Sequence, residues 1–562
     1  MKIITLHCDY IKFKALKKAL QKAEDLTTKD EVEVSEPLVV LTAVEDGDDE
    51  RTILDLVESV EKTATEVNAK NIVLYPYAHL SSKLAKPEAA LSILVGAEKK
   101  FGKKFKIIRA PFGHYKSFEL KCKGHPLSEL SKEFVAKVSK DEDYDSKRLL
   151  NEISRSRLDV SKLKENDHRI LGQKLDLFSF NETAPGMVFW HNNGWTIYNE
   201  LVKFAREQNK KAGFQEISTP QILDKRLWQI SGHWEKYKDN IFLTNYEKRD
   251  FAVKPMNCPG GMLVYKASTK SYRDLPLRVG EFGTVHRQEL SGVLAGLFRV
   301  IKFTQDDAHV FCTEEQLESE IVAIMELIDL YFKTFNLSYH VELSTRPEKR
   351  IGADKIWDKA EKVLESVLKK QKVKFKINKG DGAFYGPKID FHVEDSLNRT
   401  WQLSTIQLDF AMPERFDLEY VGKDNKKHRP IMLHRAIYGS VERFIGILLE
   451  HLNGALPVWL SPTQVRVVNF TDKNSKAVEK LVKSLEEKIP SLRIDSDLES
   501  TTVQDKVRRA EIQRIPYILV VGDKEEESGT LAVRERGVKK VRFGVEEEKF
   551  VEELKEKIGE RK

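Results

Sequence analysis

Residues 287–309 run Arg287-Gln288-Glu289, a loop carrying Gly292 and Gly296, then Arg299-Val300-Ile301-Lys302-Phe303-Thr304-Gln305-Asp306-Asp307-Ala308-His309. The stretch follows a strand-like run and turns back across its glycines, so it predicts a hairpin with an arginine on each arm. A guanidinium offers phosphate oxygens a planar fork, and an aromatic ring can stack on a purine. Arg287, Arg299 and Phe303 are therefore candidates for a nucleotide site. A surface hairpin with ordinary ion pairs is the plainer alternative, and the hairpin alone does not choose.

Its last residue, His309, gains meaning from Cys258 in Asn257-Cys258-Pro259-Gly260 and His434 in Met432-Leu433-His434-Arg435. One thiolate and two imidazoles can hold zinc and leave a coordination position open, whereas a structural zinc normally fills all four. Separations of 51 and 125 residues exclude a small finger and need a large fold to close them, which predicts a cleft. Taken singly, each of the three reads as a packed core residue. Further on, Gly439-Ser440-Val441-Glu442-Arg443-Phe444 opens an apolar run that predicts a buried helix, with Arg443 near its first turn, where anions are favoured. No P-loop and no G-x-G-x-x-G follows a strand, which argues against a Walker or Rossmann site.

At 562 residues the chain exceeds one core and should divide into about three or four domains. Hydrophobic content of 41% with 32% charge describes a globular, ordered protein, and nothing approaches a membrane span. Cysteines at 8, 122, 258 and 312 are too few and too dispersed for a disulfide framework. With an opening, Met1-Lys2-Ile3-Ile4-Thr5-Leu6, that lacks a signal-peptide pattern, they lead to the expectation of a cytoplasmic protein. A net charge of +6 permits a nucleic-acid partner without establishing one.

Three domains and a linker are expected. Residues 1–138 alternate strands (Ile3 to Cys8, Leu38 to Val44, Asn71 to Tyr75, Phe105 to Ala110) with helices such as Thr52 to Val67. Residues 139–167, highly charged at Lys140 to Asp145, read as a linker. Residues 168–462 hold all seven tryptophans, with a helix through Tyr198, Leu201, Val202 and Ala205 ended by Gly213 and a strand from Phe214 to Ser218. Residues 463–562 read as a βαβ-type module with strands at 465–470, 517–521 and 530–534. The fold class is thus multidomain α/β and α+β.

In order, the strand ending at Pro220, the Arg-x-Glu hairpin with its later Arg and Phe, and the helix bearing Arg443 resemble the three motifs of the class II aminoacyl-tRNA synthetase core, an antiparallel sheet. The text between them, including Tyr272-Arg273-Asp274-Leu275-Pro276 and Trp401-Gln402-Leu403-Ser404-Thr405-Ile406-Gln407-Leu408-Asp409-Phe410, resembles threonyl-tRNA synthetases over nearly the whole chain. That resemblance implies activation of L-threonine by ATP and transfer to tRNA(Thr). Arg287 would take the α-phosphate, Glu289 and Phe303 the adenine, and Arg299 with Arg443 the γ-phosphate, with Mg2+ accompanying ATP. It also implies a Zn2+ ion on Cys258, His309 and His434 that binds threonine through its amino group and hydroxyl, with Asp307, Tyr385 and Gln407 near the amino acid. His233 in Ser231-Gly232-His233-Trp234 would serve transfer to tRNA, and a homodimer would form at the first motif.

Residues 1–138 resemble the archaeal type of editing domain, itself similar to D-aminoacyl-tRNA deacylases, in Tyr75 to Ser82, Ala110 to Lys116 and Cys122 to Glu129. The resemblance implies hydrolysis of Ser-tRNA(Thr) around His79, Tyr115, Lys116 and Glu129; His114 departs from the aromatic residue common at its position. The C-terminal module resembles the anticodon-binding domain of subclass IIa synthetases, with Glu525 and Arg534 at base-reading positions and Lys506, Arg508, Arg509 and Arg514 in or beside one basic helix. Ser500 departs from the asparagine of bacterial relatives. A deacylase with an inactive synthetase body, another subclass IIa synthetase such as the prolyl or seryl enzyme, and a non-catalytic RNA-binding regulator are the alternatives.

Overall fold

Alternating burial of Ile3, Thr5 and His7, resumed at Ile11 and Phe13, makes the first run one long strand, Lys2–Lys18, rather than the shorter Ile3–Cys8 expected. It stays paired throughout because its partners change along it. The first half bonds Pro37–Ala43 and Glu129–Glu133; the second bonds Val32–Ser35 and His114–Cys122. All these pairings are antiparallel, whereas Pro37–Ala43, Asn71–Pro76 and Lys106–Arg109 continue in parallel, completing a seven-stranded sheet. Pro37–Ala43 is buried at every residue, as a strand covered on both faces must be. Helices Glu50–Glu66 and Pro87–Lys100 bury Leu56, Val60, Ala90 and Leu94 against Leu38 and Val40, and the opposite face gathers Ile11, Phe13, Val39 and Tyr75.

This computed structural model describes residues 1–20, 23–26, 30–81, 83–134 and 163–561, in two compact units, Met1–Asp145 and Ser146–Lys562. Most of the expected linker, residues 139–162, lies outside the described residues.

The second unit is built on an eight-stranded sheet in the order Gln215–Glu216, Leu277–His286, Lys302–Cys312, Ile431–Ala436, Thr400–Asp409, Lys388–Glu394, Ser338–Ser344, Phe375–Asn378. The six inner strands are antiparallel and the two outermost pairings parallel. Helix Asn192–Lys211 repeats Ile197, Leu201, Phe204, Ala205 and Gln208 on one buried face and packs on this sheet with Leu317–Thr334, Asp354–Lys370 and Val441–His451. Gly194 lets it sit close: a Cβ there would stand 2.0 Å from the Leu177 carbonyl oxygen. Gly213, at φ +77°, turns the chain out of the helix. The strand expected at Phe214–Ser218 shrinks to Gln215–Glu216: the Phe214 amide bonds back to the Asn209 carbonyl and, past Ile217, the Thr219 amide takes the Glu281 carboxylate in place of a backbone partner.

The C-terminal module carries a five-stranded sheet, Ile494–Asp497, Val465–Asn469, Tyr517–Val521, Thr530–Glu535, Arg542–Glu546. Its two outer strands, Ile-Asp-Ser-Asp and Arg-Phe-Gly-Val-Glu, were not expected; short polar edges carry little apolar alternation. Arg493 fastens the module to the larger sheet's layer, its guanidinium bonding Glu200 at 3.1 Å and the carbonyls of Trp459 and Ser461 at 2.6 and 2.9 Å.

Behind the strand Leu277–His286, wholly buried Lys254 holds Glu281 at 2.8 Å and the Thr219 hydroxyl at 3.0 Å. Lys254→Met strands the carboxylate, so urea unfolding followed by tryptophan fluorescence should show a loss of about 3–5 kcal/mol, and a loss below about 1 kcal/mol would refute this reading.

Candidate active site

Register decides which side chains meet. His309 pairs directly with His434 across the strands Lys302–Cys312 and Ile431–Ala436, and His434 pairs on its other side with Gln407, which in turn faces Lys388. Alternation along the first of these strands puts Gln305, Asp307 and His309 on one face. Cys258 enters from the start of helix Cys258–Lys266. The ligand atoms of Cys258, His309 and His434 all lie within 4.8 Å of one another, and the two rings stand 5.0 Å apart at 81°.

The donor chemistry fits a zinc ion. His434 Nε2 lies 2.8 Å from Asp409 Oδ2, a contact that orients the ring and leaves Nδ1 as its donor. His309 Nε2 is buried without a hydrogen-bond partner, and burial holds the imidazole neutral by lowering its pKa to about 4. Burial, then Asp307 and Asp409, push the Cys258 thiol well above its usual range. A thiol that resists ionisation, an orphaned nitrogen and two nearby carboxylates form a site short of positive charge, which a dication would supply.

A second acidic and histidine cluster, Asp167, His168 and Glu450, is already satisfied. His168 contacts Glu450 at 2.6 Å through Nδ1 and accepts the Leu297 amide at 2.9 Å through Nε2, so it ties the helix His168–Lys174 to the core.

Beside Cys258 and His434 opens a cleft of about 390 Å³, lined also by His233, Arg287, Asp307, Tyr385, Lys388 and Gln407. Tyr385 donates its hydroxyl to Gln407 Oε1 at 2.5 Å, and Asp307 accepts from the Asn257 amide side chain at 3.2 Å. His233 is buried, its Nδ1 2.8 Å from the Ser231 hydroxyl and its ring edge-on to Phe384. Burial, reinforced by His434, Arg287 and Arg415, lowers its pKa to about 3 and keeps it neutral. Lys388, held between Asp390 at 2.8 Å and Asp381 at 3.1 Å, was missed in the sequence; a lone lysine in a strand gives no signal until its register is known.

Arg287 donates Nε to the Pro255 carbonyl at 3.0 Å, its guanidinium 5.2 Å from the centre of the Phe303 ring. Arg443, in the first turn of Val441–His451, donates Nε to the Phe298 carbonyl at 2.9 Å. Its pKa is lowered by burial and then by Arg299 and Arg287, so three cations converge where an anion would relieve their repulsion. Arg299 and Glu289 pair with each other at 2.9 Å.

In the first unit, Lys116 bonds the Pro111 carbonyl at 2.9 Å and lies over the Tyr75 ring, while His79 packs edge-on to Tyr77, which contacts Tyr75. These residues form one aromatic cluster. Tyr115 faces the other way, under Lys17, and Glu129 stands opposite Leu6; among the described residues neither joins the cluster by a hydrogen bond or ion pair.

In the C-terminal module, Glu525 accepts the Gly522 amide at 3.1 Å and Arg534 pairs with Ile518 in the sheet. The expected basic helix, observed as Val503–Ile512, needs correction: Lys506 is buried and bonds Asn469, and Arg509 is paired with Asp497 and Glu499. Arg508 and Arg514 remain exposed. Ser500 donates to Asp472 at 3.0 Å.

Comparison with known families follows this division. Residues 1–134 match the archaea-specific editing domain of threonyl-tRNA synthetase, 242–452 the class II tRNA synthetase core domain (G, H, P, S and T), and 464–557 the anticodon-binding domain. Threonine–tRNA ligases of Desulforamulus reducens and Acetivibrio thermocellus are each 55% identical over 67% of the chain, which spans 59% of the length of either relative. A crystal structure titled as the RNA binding domain of threonyl-tRNA synthetase from Cryptosporidium parvum superposes with a TM-score of 0.67 at 38% identity, covering 69% of this chain and 98% of that one. With such a relative matched almost end to end, and with a fold of editing-type unit, class II sheet and anticodon-type module, the chain belongs to the threonyl-tRNA synthetase family.

Proposed function

We propose that the chain is a threonine–tRNA ligase that activates L-threonine with ATP, transfers it to tRNA(Thr), and hydrolyses Ser-tRNA(Thr) in its N-terminal unit. The carrying observation is that Cys258, His434 and Arg287 line one cleft, so a metal donor set and a phosphate-binding cation face the same substrate. A zinc ion held by Cys258, His309 and His434 would supply an open Lewis-acid position for an amino group and a hydroxyl.

The chain's residues do the remainder. Asp307, with Tyr385 and Gln407 locked together, orients the amino acid. Arg287 holds the α-phosphate, Phe303 and Glu289 the adenine, and Arg299 and Arg443 the γ-phosphate. A carboxylate oxygen of threonine forms a bond to the α-phosphorus as the bond to the pyrophosphate oxygen breaks, a displacement driven by positioning and fixed charge. In the second step a terminal ribose hydroxyl of tRNA attacks the acyl carbon and AMP leaves. His233, buried and neutral, is assigned to position the attacking hydroxyl, whose proton leaves with the departing phosphate oxygen of AMP. Magnesium would enter with ATP, bound mostly by phosphates and water.

Valine is isosteric with threonine and leaves a polar valence unmet, so it is strongly rejected. Serine lacks only a methyl, a small difference in a pocket, which is the physical case for editing. His79, Tyr115, Lys116 and Glu129 are assigned to that second site, and Glu525 and Arg534 to the anticodon. The proposed division is 1–138 editing, 139–167 connection, 168–462 catalysis and 463–562 anticodon binding. A homodimer in the cytoplasm completes the reading; among the described residues no helix is long and apolar enough to cross a membrane.

ATP–pyrophosphate exchange over an amino-acid panel should be fastest with threonine, slower by about 10- to 200-fold with serine and by about 10,000-fold with valine. Exchange with another amino acid, or none with threonine, would defeat the proposal. Cys258→Ser should lose bound zinc on dialysis while the parent protein retains it.

Burial lowers the Lys116 pKa to about 8, so the amine is mostly uncharged above that pH. Competitive labelling with an amine-selective reagent should show half-maximal reactivity of Lys116 near pH 8. Reactivity that instead rises near pH ~10.4, as for exposed lysines, would refute the assignment of a buried amine.

A further inference from the structure

Strand alternation gives the catalytic sheet two faces. Asp307, His309 and His434 turn to the cleft, so their neighbours Asp306 and Arg435 turn to the layer beneath. Both of those side chains are wholly buried, and they meet: Arg435 Nη1 donates to the Asp306 carbonyl oxygen at 3.1 Å and to its Oδ2 at 3.4 Å. Asp306 also accepts the backbone amides of Ile437 and Tyr438, at 2.9 and 3.0 Å. Arg435 Nη2 donates to Asn209 on helix Asn192–Lys211, and its guanidinium lies 4.7 Å from the Phe214 ring centre.

Stability alone is a poor reason to keep this pair. Desolvating two charges is costly, and well-packed apolar replacements are commonly as stable. Here the guanidinium Nε also finds no partner. What the pair does fix is geometry. One carboxylate staples the strand Lys302–Cys312 to the end of Ile431–Ala436, where Ala308 pairs with Arg435 and His309 with His434. Through Ile437 and Tyr438 the same carboxylate holds the turn that runs through Gly439, at φ +74°, to Ser440, which caps the helix of Arg443.

We propose that Asp306 and Arg435 are positioning residues of this centre, setting the spacing of the two imidazoles on one side and the aim of Arg443 on the other. The catalytic half of the proposal rests on the synthetase reading; the metal half does not. Asp306→Asn keeps the side chain's shape and an acceptor oxygen while removing its charge. Loaded with zinc, this variant should release the metal to a chromophoric chelator about 10- to 100-fold faster than the parent. In pyrophosphate exchange the KM values for threonine and ATP should both rise.

Should Asp306→Asn fail to fold, Asn209→Ala releases the far side of Arg435 and should shift the same two readouts in the same direction. Glu320→Gln, which weakens the part-buried pair at 2.6 Å that ties helix Leu317–Thr334 to Arg278 on the strand Leu277–His286, serves as the control. It should lower the unfolding temperature without hastening metal release. Unchanged metal release and KM in a folded variant, or equal acceleration in the Glu320→Gln control, would overturn the proposal. A parent protein that exchanges no threonine would overturn the synthetase reading alone, and the chelator experiment would still decide the metal half.

Discussion

His309 and His434 face each other only because two antiparallel strands pair in one register. A slip of one residue would turn one imidazole to the opposite face of the sheet and dismantle the donor set. The third ligand depends on the same sheet through Gly283: a Cβ at that position would stand 2.0 Å from Asn257 Oδ1, so only glycine lets the segment carrying Cys258 close down on the strand. Gly260, one turn into the helix, is similarly pressed against Thr219, which Glu281 and Lys254 hold from behind. Packing of the first motif, the buried ion pair and the metal donors is therefore one continuous arrangement.

Charge divides the cleft into two poles. At one, the Cys258 thiol stands beside the Asp307 and Asp409 carboxylates; at the other, Arg287, Arg299 and Arg443 converge with Glu289, paired to Arg299, as their nearby counter-charge. Like charges gathered with few counter-ions are unfavourable in isolation and favourable once the complementary ligand arrives. On the proposed reading, threonine bridges the poles, its amino group and hydroxyl at the first and its carboxylate beside the phosphates at the second. Binding at either pole then orients the molecule for the other.

Much of this was legible before any coordinates, and the remainder failed for physical reasons. The metal triplet and the arginines of the second and third motifs could be picked from residue type and order. Tyr385 and Gln407 came only by resemblance, since residues 22 apart show no sequence sign of the hydrogen bond that joins them. Lys388, Asp306 and Arg435 acquire meaning only from register. The long strand Lys2–Lys18 was read short because irregular pairings between Cys8 and Tyr10 and between Ala15 and Lys17 break its alternation. Lys506 counts by charge toward a basic helix, although Val503, Val507 and Ala510 at helical spacing already place it on the inward stripe. Periodicity was the better guide there than residue type.

The account turns on three protein ligands that leave the metal open to the amino acid. X-ray absorption at the zinc edge, on protein with and without L-threonine, tests this most directly. One sulfur and two imidazole nitrogens should surround the ion, with the remaining light-atom shell changing when threonine is added and not when valine is added. A closed shell of four protein ligands, or a spectrum indifferent to threonine, would contradict it.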